Sequence, residues 1–235
     1  MIRLFYLNIN GNKIIKMENI LKQIRSLNLK KITQPELEEM LPTFGMNGEN
    51  SHEMPSHLSE HFNQGIRFWQ YPNQFSKYLL QLTKYDIKSY LEIGCRWGGT
   101  FIITSEILKA KHPDLRMYTC DLMKRSSILS WYASQANYTY FNQSSFTLTK
   151  NDIQDQVDLI LIDGDHSYEG VKRDFEVCLQ FKPKYVVFHD ISSVACEGVQ
   201  RFWNEIKNEY KFHEFTDQYD SVNGSYLGIG LIELK

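Results

Sequence analysis

Apolar positions recur every three or four residues in the first third of the chain, and in short unbroken runs after residue 88. Over 17–29, Ile20, Leu21, Ile24 and Leu27 share one helical face. Thr33 followed by Glu36 makes a capping box ahead of Leu37, Met40 and Leu41. A polar loop with Gly45 and Gly48 runs from Pro42 to about Pro55, and after Pro72 the spacing of Phe75, Tyr78, Leu79 and Leu82 predicts a helix over 73–85. Apolar runs at 89–93, 116–120, 138–141, 157–162 and 185–188 then alternate with helical stretches near 99–111, 125–136, 168–181 and 195–209. Such alternation predicts a parallel sheet with helices on both faces. Two last runs, 210–215 and 226–234, have no helix between them and predict an antiparallel finish. The expectation is an α/β protein with a doubly wound sheet of about seven strands, mostly parallel, with an antiparallel C-terminal strand. An N-terminal helical or lid segment over 1–70 precedes a main domain over 71–235.

Composition narrows the partners. A chain of 235 residues buries one sizeable core. Its net charge of −2 is scattered without a basic stripe, so no nucleic acid is expected. Cys95, Cys120, Cys178 and Cys196 form no C-x-x-C pair and read as reduced core residues. The N-terminal apolar stretch is broken by Asn8, Asn10 and Asn12, so neither a signal peptide nor a membrane span is expected, and a cytoplasmic location is the default.

In a Rossmann-like sheet of this kind, ligands bind outside the carboxyl ends of the strands, where strand order reverses. The first strand ends in EIGCRWGGT, with Glu92, Gly94, Gly98 and Gly99; the second ends at Asp121, the fourth at Asp163, the fifth at His189 and Asp190. A dinucleotide fingerprint needs glycine where Arg96 stands, which argues against a nicotinamide-dependent sugar oxidoreductase or epimerase, and no Gly-Lys-Ser/Thr follows to make a P-loop. Asp121 can hydrogen-bond a ribose diol, and Glu92 favours a ligand that carries positive charge. The crowd Asp163, Asp165 and His166 reads either as metal and proton chemistry or as a solvated strand-to-helix turn in which Asp165 caps the next helix.

Together, EIGCRWGGT, Cys120-Asp121, DLILIDGDHSYEGVKRDF and VVFHDI resemble the class I S-adenosylmethionine-dependent methyltransferases, over roughly residues 70 to 235. The branch resembled holds the macrolide-sugar and rhamnosyl O-methyltransferases and the cephalosporin-hydroxylase-like proteins. The resemblance implies that Glu92, Gly94, Gly98 and Gly99 hold the methionine portion of S-adenosylmethionine, Asp121 the ribose, and Ser144 and Ser145 the adenine. It further implies that Asp163 is a divalent-metal ligand, with Mg2+ or Mn2+ as the candidates, and His166 a general base. The remaining metal ligands would be an acidic pair after the fifth strand; here that pair is His189 and Asp190, and the histidine departs from the pattern.

The implied reaction moves a methyl group to a hydroxyl of a small molecule, with a sugar or sugar nucleotide as acceptor, in glycoconjugate, polysaccharide or natural-product biosynthesis. An imidazole with a pKa near ~6.5 suits removal of the hydroxyl proton. Methylation of an amine or a phosphate-linked group without metal is the alternative, and a homo-oligomer stays open. His57, Glu60 and His61 match the H-x-x-E-H zinc-protease pattern, but nothing further along the chain offers a protease scaffold. Segment 52–71, with Arg67, Trp69 and Tyr71, reads either as a lid or acceptor-binding surface or as a packed helical hairpin.

Overall fold

The computed structural model describes residues 2–234, with side chains from 14 to 234. The reading of the first residues as neither signal peptide nor span concerns side chains outside that set. No helix among the described residues is long and apolar enough to cross a membrane.

Three helices precede the sheet: α1 (Ile2–Arg25), α2 (Gln34–Met40) and α3 (Pro72–Leu82). The predicted first helix stops at Arg25, four residues early, where a turn begins. The Thr33–Glu36 capping box forms as expected: the Thr33 hydroxyl accepts from the Glu36 N–H, and the Glu36 carboxylate accepts from the Thr33 N–H at 2.8 Å. Alternation then follows: β1 (Ser89–Ile93), α4 (Gly99–Lys109), β2 (Arg116–Cys120), α5 (Ser127–Tyr132), β3 (Thr139–Phe141), β4 (Leu159–Ile162), α6 (Tyr168–Leu179), β5 (Tyr185–His189), α7 (Glu197–Ile206), β6 (Lys211–Phe215) and β7 (Ile229–Glu233).

The seven strands lie in the order β3-β2-β1-β4-β5-β7-β6, parallel except for β7, which runs antiparallel to both neighbours. This is the expected mostly parallel α/β sheet, and strand order reverses between β1 and β4. Successive residues face opposite layers, because side chains alternate along a strand. Tyr90, Leu159 and Leu161 meet the layer of α1, α3, α4 and α5, while Leu91, Ile93, Ile160 and Ile162 meet α6 and α7. Met17, Ile20, Leu21 and Ile24 of α1 belong to the same apolar layer as α3 and α4. Arg25 adds a polar tie, its Nε 2.6 Å from the buried Glu106 carboxylate of α4.

Candidate active site

The site begins in the turn after β1. Gly94 has φ +81°, and a Cβ there would lie 1.8 Å from the Asp163 carbonyl oxygen. Only glycine lets the ends of β1 and β4 come so close. The two ends are joined by the Asp163 N–H donating to the Ile93 carbonyl at 2.8 Å, and the Gly94 N–H reaches across to Cys120 at 2.9 Å. Gly98 is the residue before α4, and Gly99 opens that helix under the backbone of Phe68, whose nitrogen would sit 2.3 Å from a Cβ. Asp121, past the end of β2, closes the turn: its carboxylate accepts from the Arg96 N–H at 2.7 Å and the Met123 N–H at 2.8 Å.

A cavity of about 570 Å³ opens over these strand ends. Its roof is an arch from the segment before α3, which contributes Asn47, Asn50, Glu53, Arg67 and Trp69. Glu49 pins the arch to the glycine turn, accepting from Arg96 at 2.6 Å and from the Trp97 indole N–H at 3.4 Å. The Arg67 guanidinium lies 4.7 Å from the Trp97 ring centre, a cation–π distance. Arg67 and Trp69 therefore reach the cavity, whereas Tyr71 is buried, with its hydroxyl donating to the Glu53 carbonyl at 2.5 Å. His57 and His61 fall in a 3₁₀ turn, Ser56–His61, in which residues four apart diverge around the axis, so the H-x-x-E-H pattern makes no metal face.

Glu92 lines the cavity yet is 1% exposed, with the Tyr90 hydroxyl donating to its carboxylate. Burial pushes this carboxyl up to about 8, and the Tyr90 hydrogen bond recovers only part of that shift. The folded protein thus keeps a proton that the unfolded chain has released, so stability falls as pH rises from the ordinary glutamate range to about 8. Glu92→Gln is expected to remove that fall, on the order of a few kcal/mol, from the difference in unfolding free energy between pH 5 and pH 8. Parallel pH slopes for the two proteins in denaturant titrations would show instead that Glu92 ionises freely in the fold.

The ends of β4 and β5 bring four groups together. Asp163 and His166 follow β4; His189 closes β5, and Asp190 follows it with φ +63°. His189 Nδ1 lies 3.0 Å from Asp163 Oδ1 and 3.1 Å from Asp190 Oδ2. His166 Nε2 lies 3.2 Å and 3.4 Å from the same two oxygens. One donor atom from each residue falls within 4.8 Å of all the others, the one such group of His, Cys, Asp or Glu among the described residues. The two imidazoles are held differently. His166 Nε2 makes a hydrogen bond to Asp163, whereas neither nitrogen of the buried His189 has a hydrogen-bond partner. Ligands side by side on an octahedral ion bound at 2.0–2.2 Å stand about 2.8–3.1 Å apart, which the His189–carboxylate separations match. The residues present therefore fit a divalent cation.

Charge follows the same geometry. Burial alone would raise the Asp163 carboxyl, but His189 and His166 outweigh it and hold it well below the usual carboxylate range. The hydrogen bond to Asp163, helped by the neighbouring Cys196 sulfur and by the Asp163 and Asp190 charges, outweighs burial and pushes His166 up to about 11. The Cys196 thiol also sits 3.4 Å from Asp190 Oδ2.

The remaining expectations divide. Asp165 is not the cap of α6; Ser167 is, accepting from the Gly170 N–H at 3.0 Å, while Asp165 accepts from the Ser167 N–H at 2.9 Å. Ser144 and Ser145 line the cavity, but Ser145 turns its hydroxyl onto Asp174 of α6, and Ser144 caps the short turn that follows. All four cysteines are free and buried, yet Cys95, Cys120 and Cys196 line the cavity and do not serve the core alone. Leu122 and Met123, 77% and 56% exposed, also line it, as do Arg96 and Trp97, the partners of Glu49 in the glycine turn. No periodic signal marked these residues, because they lie in loops.

Residues 91–191 match the model of a methyltransferase domain. No curated protein matches the chain. Among solved structures, the O-methyltransferase from Bacillus cereus in complex with S-adenosylhomocysteine is 14% identical, with a TM-score of 0.53, and the match covers 94% of this chain and 100% of that one. The O-methyltransferase TomG from Streptomyces achromogenes, involved in tomaymycin synthesis and bound to S-adenosylmethionine, is 14% identical with a TM-score of 0.51, covering 87% and 100%. Likeness at this identity is likeness of fold. The chain thus has the fold shared by these enzymes, and the stretch that matches the methyltransferase-domain model, residues 91–191, spans the glycine turn, Asp121 and the cluster from Asp163 to Asp190.

Proposed function

We propose that this protein transfers the methyl group of S-adenosylmethionine to a hydroxyl of a small molecule, a sugar of a glycoconjugate or natural product. The observation that carries the reading is one cavity that joins the glycine turn, Glu92 and Asp121 to the cluster of Asp163, His166, His189 and Asp190. In this reading Gly94, Gly98, Gly99 and Glu92 receive the methionine portion, Asp121 the ribose, and Ser144 and Ser145 the edge nearest the adenine. The buried carboxyl of Glu92 suits a ligand that brings positive charge, as the sulfonium and ammonium of S-adenosylmethionine do.

The acceptor lies between the cluster and the arch. A lone pair of its oxygen attacks the methyl carbon, the carbon–sulfur bond breaks, and S-adenosylhomocysteine and a methyl ether result. The hydroxyl proton passes to His166 Nε2. Asp163, His189 and Asp190 would hold a divalent ion, which when bound supplies Lewis acidity to the acceptor oxygen. With an ion bound there, Asp163 and Asp190 would hold the His166 proton less strongly and leave its nitrogen free to act as base. Trp69 offers an aromatic face to a sugar ring, and Asn50 and Glu53 offer hydrogen bonds to its hydroxyls.

Isothermal titration separates this reading from a nicotinamide enzyme on a similar sheet. S-adenosylmethionine and S-adenosylhomocysteine are expected to bind at one site per chain and NAD not to bind. Binding of NAD with no response to either sulfur ligand would overturn the proposal.

A further inference from the structure

We infer that the cluster takes a first-row transition dication in preference to magnesium, with the His189 imidazole as a direct ligand and His166 outside the ligand set. The inference rests on the proposed reading of Asp163, His189 and Asp190 as a divalent-ion site.

His189 is 2% exposed, and neither ring nitrogen has a hydrogen-bond partner among the described residues. A buried imidazole without partners is costly, because its nitrogens do not recover the hydrogen bonds they made to water. Its Nδ1 nevertheless sits 3.0 and 3.1 Å from two carboxylate oxygens. An imidazole nitrogen and two carboxylate oxygens this close together can share one cation, which satisfies all three groups. His166 differs on each count: it is half exposed, and its Nε2 has a hydrogen bond to Asp163.

The donor set then decides the ion. Two carboxylates balance a dication, and the third protein ligand is nitrogen. Magnesium demands hard oxygen ligands and keeps its waters, whereas imidazole suits manganese, iron, cobalt and their neighbours.

Titration of the full chain with MnCl2 and with MgCl2 tests this without any methyl acceptor. Mn2+ is expected to bind at least about tenfold tighter than Mg2+, and His189→Asp to bring that ratio down towards one. Pulsed electron paramagnetic resonance of bound Mn2+ is expected to show coupling to an imidazole nitrogen in the wild type and in His166→Ala, and none in His189→Asp. Equal affinity for the two ions, an unchanged ratio in His189→Asp, or coupling that vanishes in His166→Ala would each overturn the inference while leaving a divalent-ion site in place. Failure of both ions to bind the wild type would remove the ion site and the inference together. If His189→Asp does not fold, the spectra of the wild type and His166→Ala still decide which imidazole is bound.

Discussion

Replacing His166 with alanine is expected to lower turnover by roughly 10²–10⁴-fold, the usual contribution of a positioned general base, and to leave S-adenosylmethionine affinity unchanged. The two effects separate because His166 touches the carboxylates of Asp163 and Asp190 and makes no hydrogen bond to the glycine turn or Asp121. An alcohol keeps its proton near pH 7 and is a poor nucleophile towards a methyl sulfonium, so loss of the base falls on the chemical step. The side chain is 44% exposed, and its removal leaves no cavity in the core, so thermal unfolding should shift little. The measurement is S-adenosylhomocysteine release with an acceptor found by screening sugars and sugar nucleotides, alongside titration of the cofactor. Wild-type turnover in the variant would take the base role away from His166.

Legibility of this molecule from its sequence follows the physics of each segment. The limits of β1 and β2 coincide with the runs at 89–93 and 116–120, because β1 is buried along its whole length and β2 over most of its own. The helix expected over 125–136 contracts to Ser127–Tyr132, since the Ser126 hydroxyl caps it through Leu129 and the chain turns again after Tyr132. The group of Asp163, His166, His189 and Asp190 could be anticipated because each residue ends a strand or lies within four residues of its end, and strand ends in a parallel sheet share one edge. The roof of the cavity could not. Glu49 finds Arg96 and Trp97 nearly fifty residues away, through a loop with neither helical nor alternating spacing. The cap expected at Asp165 falls to Ser167 for a local reason. Asp165 and Ser167 both suit an N-cap, and only the backbone decides that Ser167 occupies it while Asp165 braces the turn before it.

Gly94→Ala is expected to cost roughly 3 kcal/mol or more of stability and to abolish binding of S-adenosylhomocysteine. Two penalties combine. The residue sits at φ +81°, where an L side chain is strained, and the added carbon would meet the Asp163 carbonyl at 1.8 Å. That oxygen belongs to backbone, so no rotamer change relieves the contact; the ends of β1 and β4 must part, and the 2.8 Å bond from the Asp163 N–H to the Ile93 carbonyl goes with them. Asp163 moves in the same displacement, which couples the glycine turn to the cluster of Asp163, His166, His189 and Asp190. Gly224→Ala is the control, because it too has positive φ, +114°, but its Cβ would meet only the ring of Tyr226, at 3.0 Å or more. About 1 kcal/mol is expected there, with binding intact. Thermal unfolding and calorimetric titration of both variants read the difference. A Gly94→Ala protein that binds S-adenosylhomocysteine like the wild type would show that the turn after β1 does not shape the cofactor site.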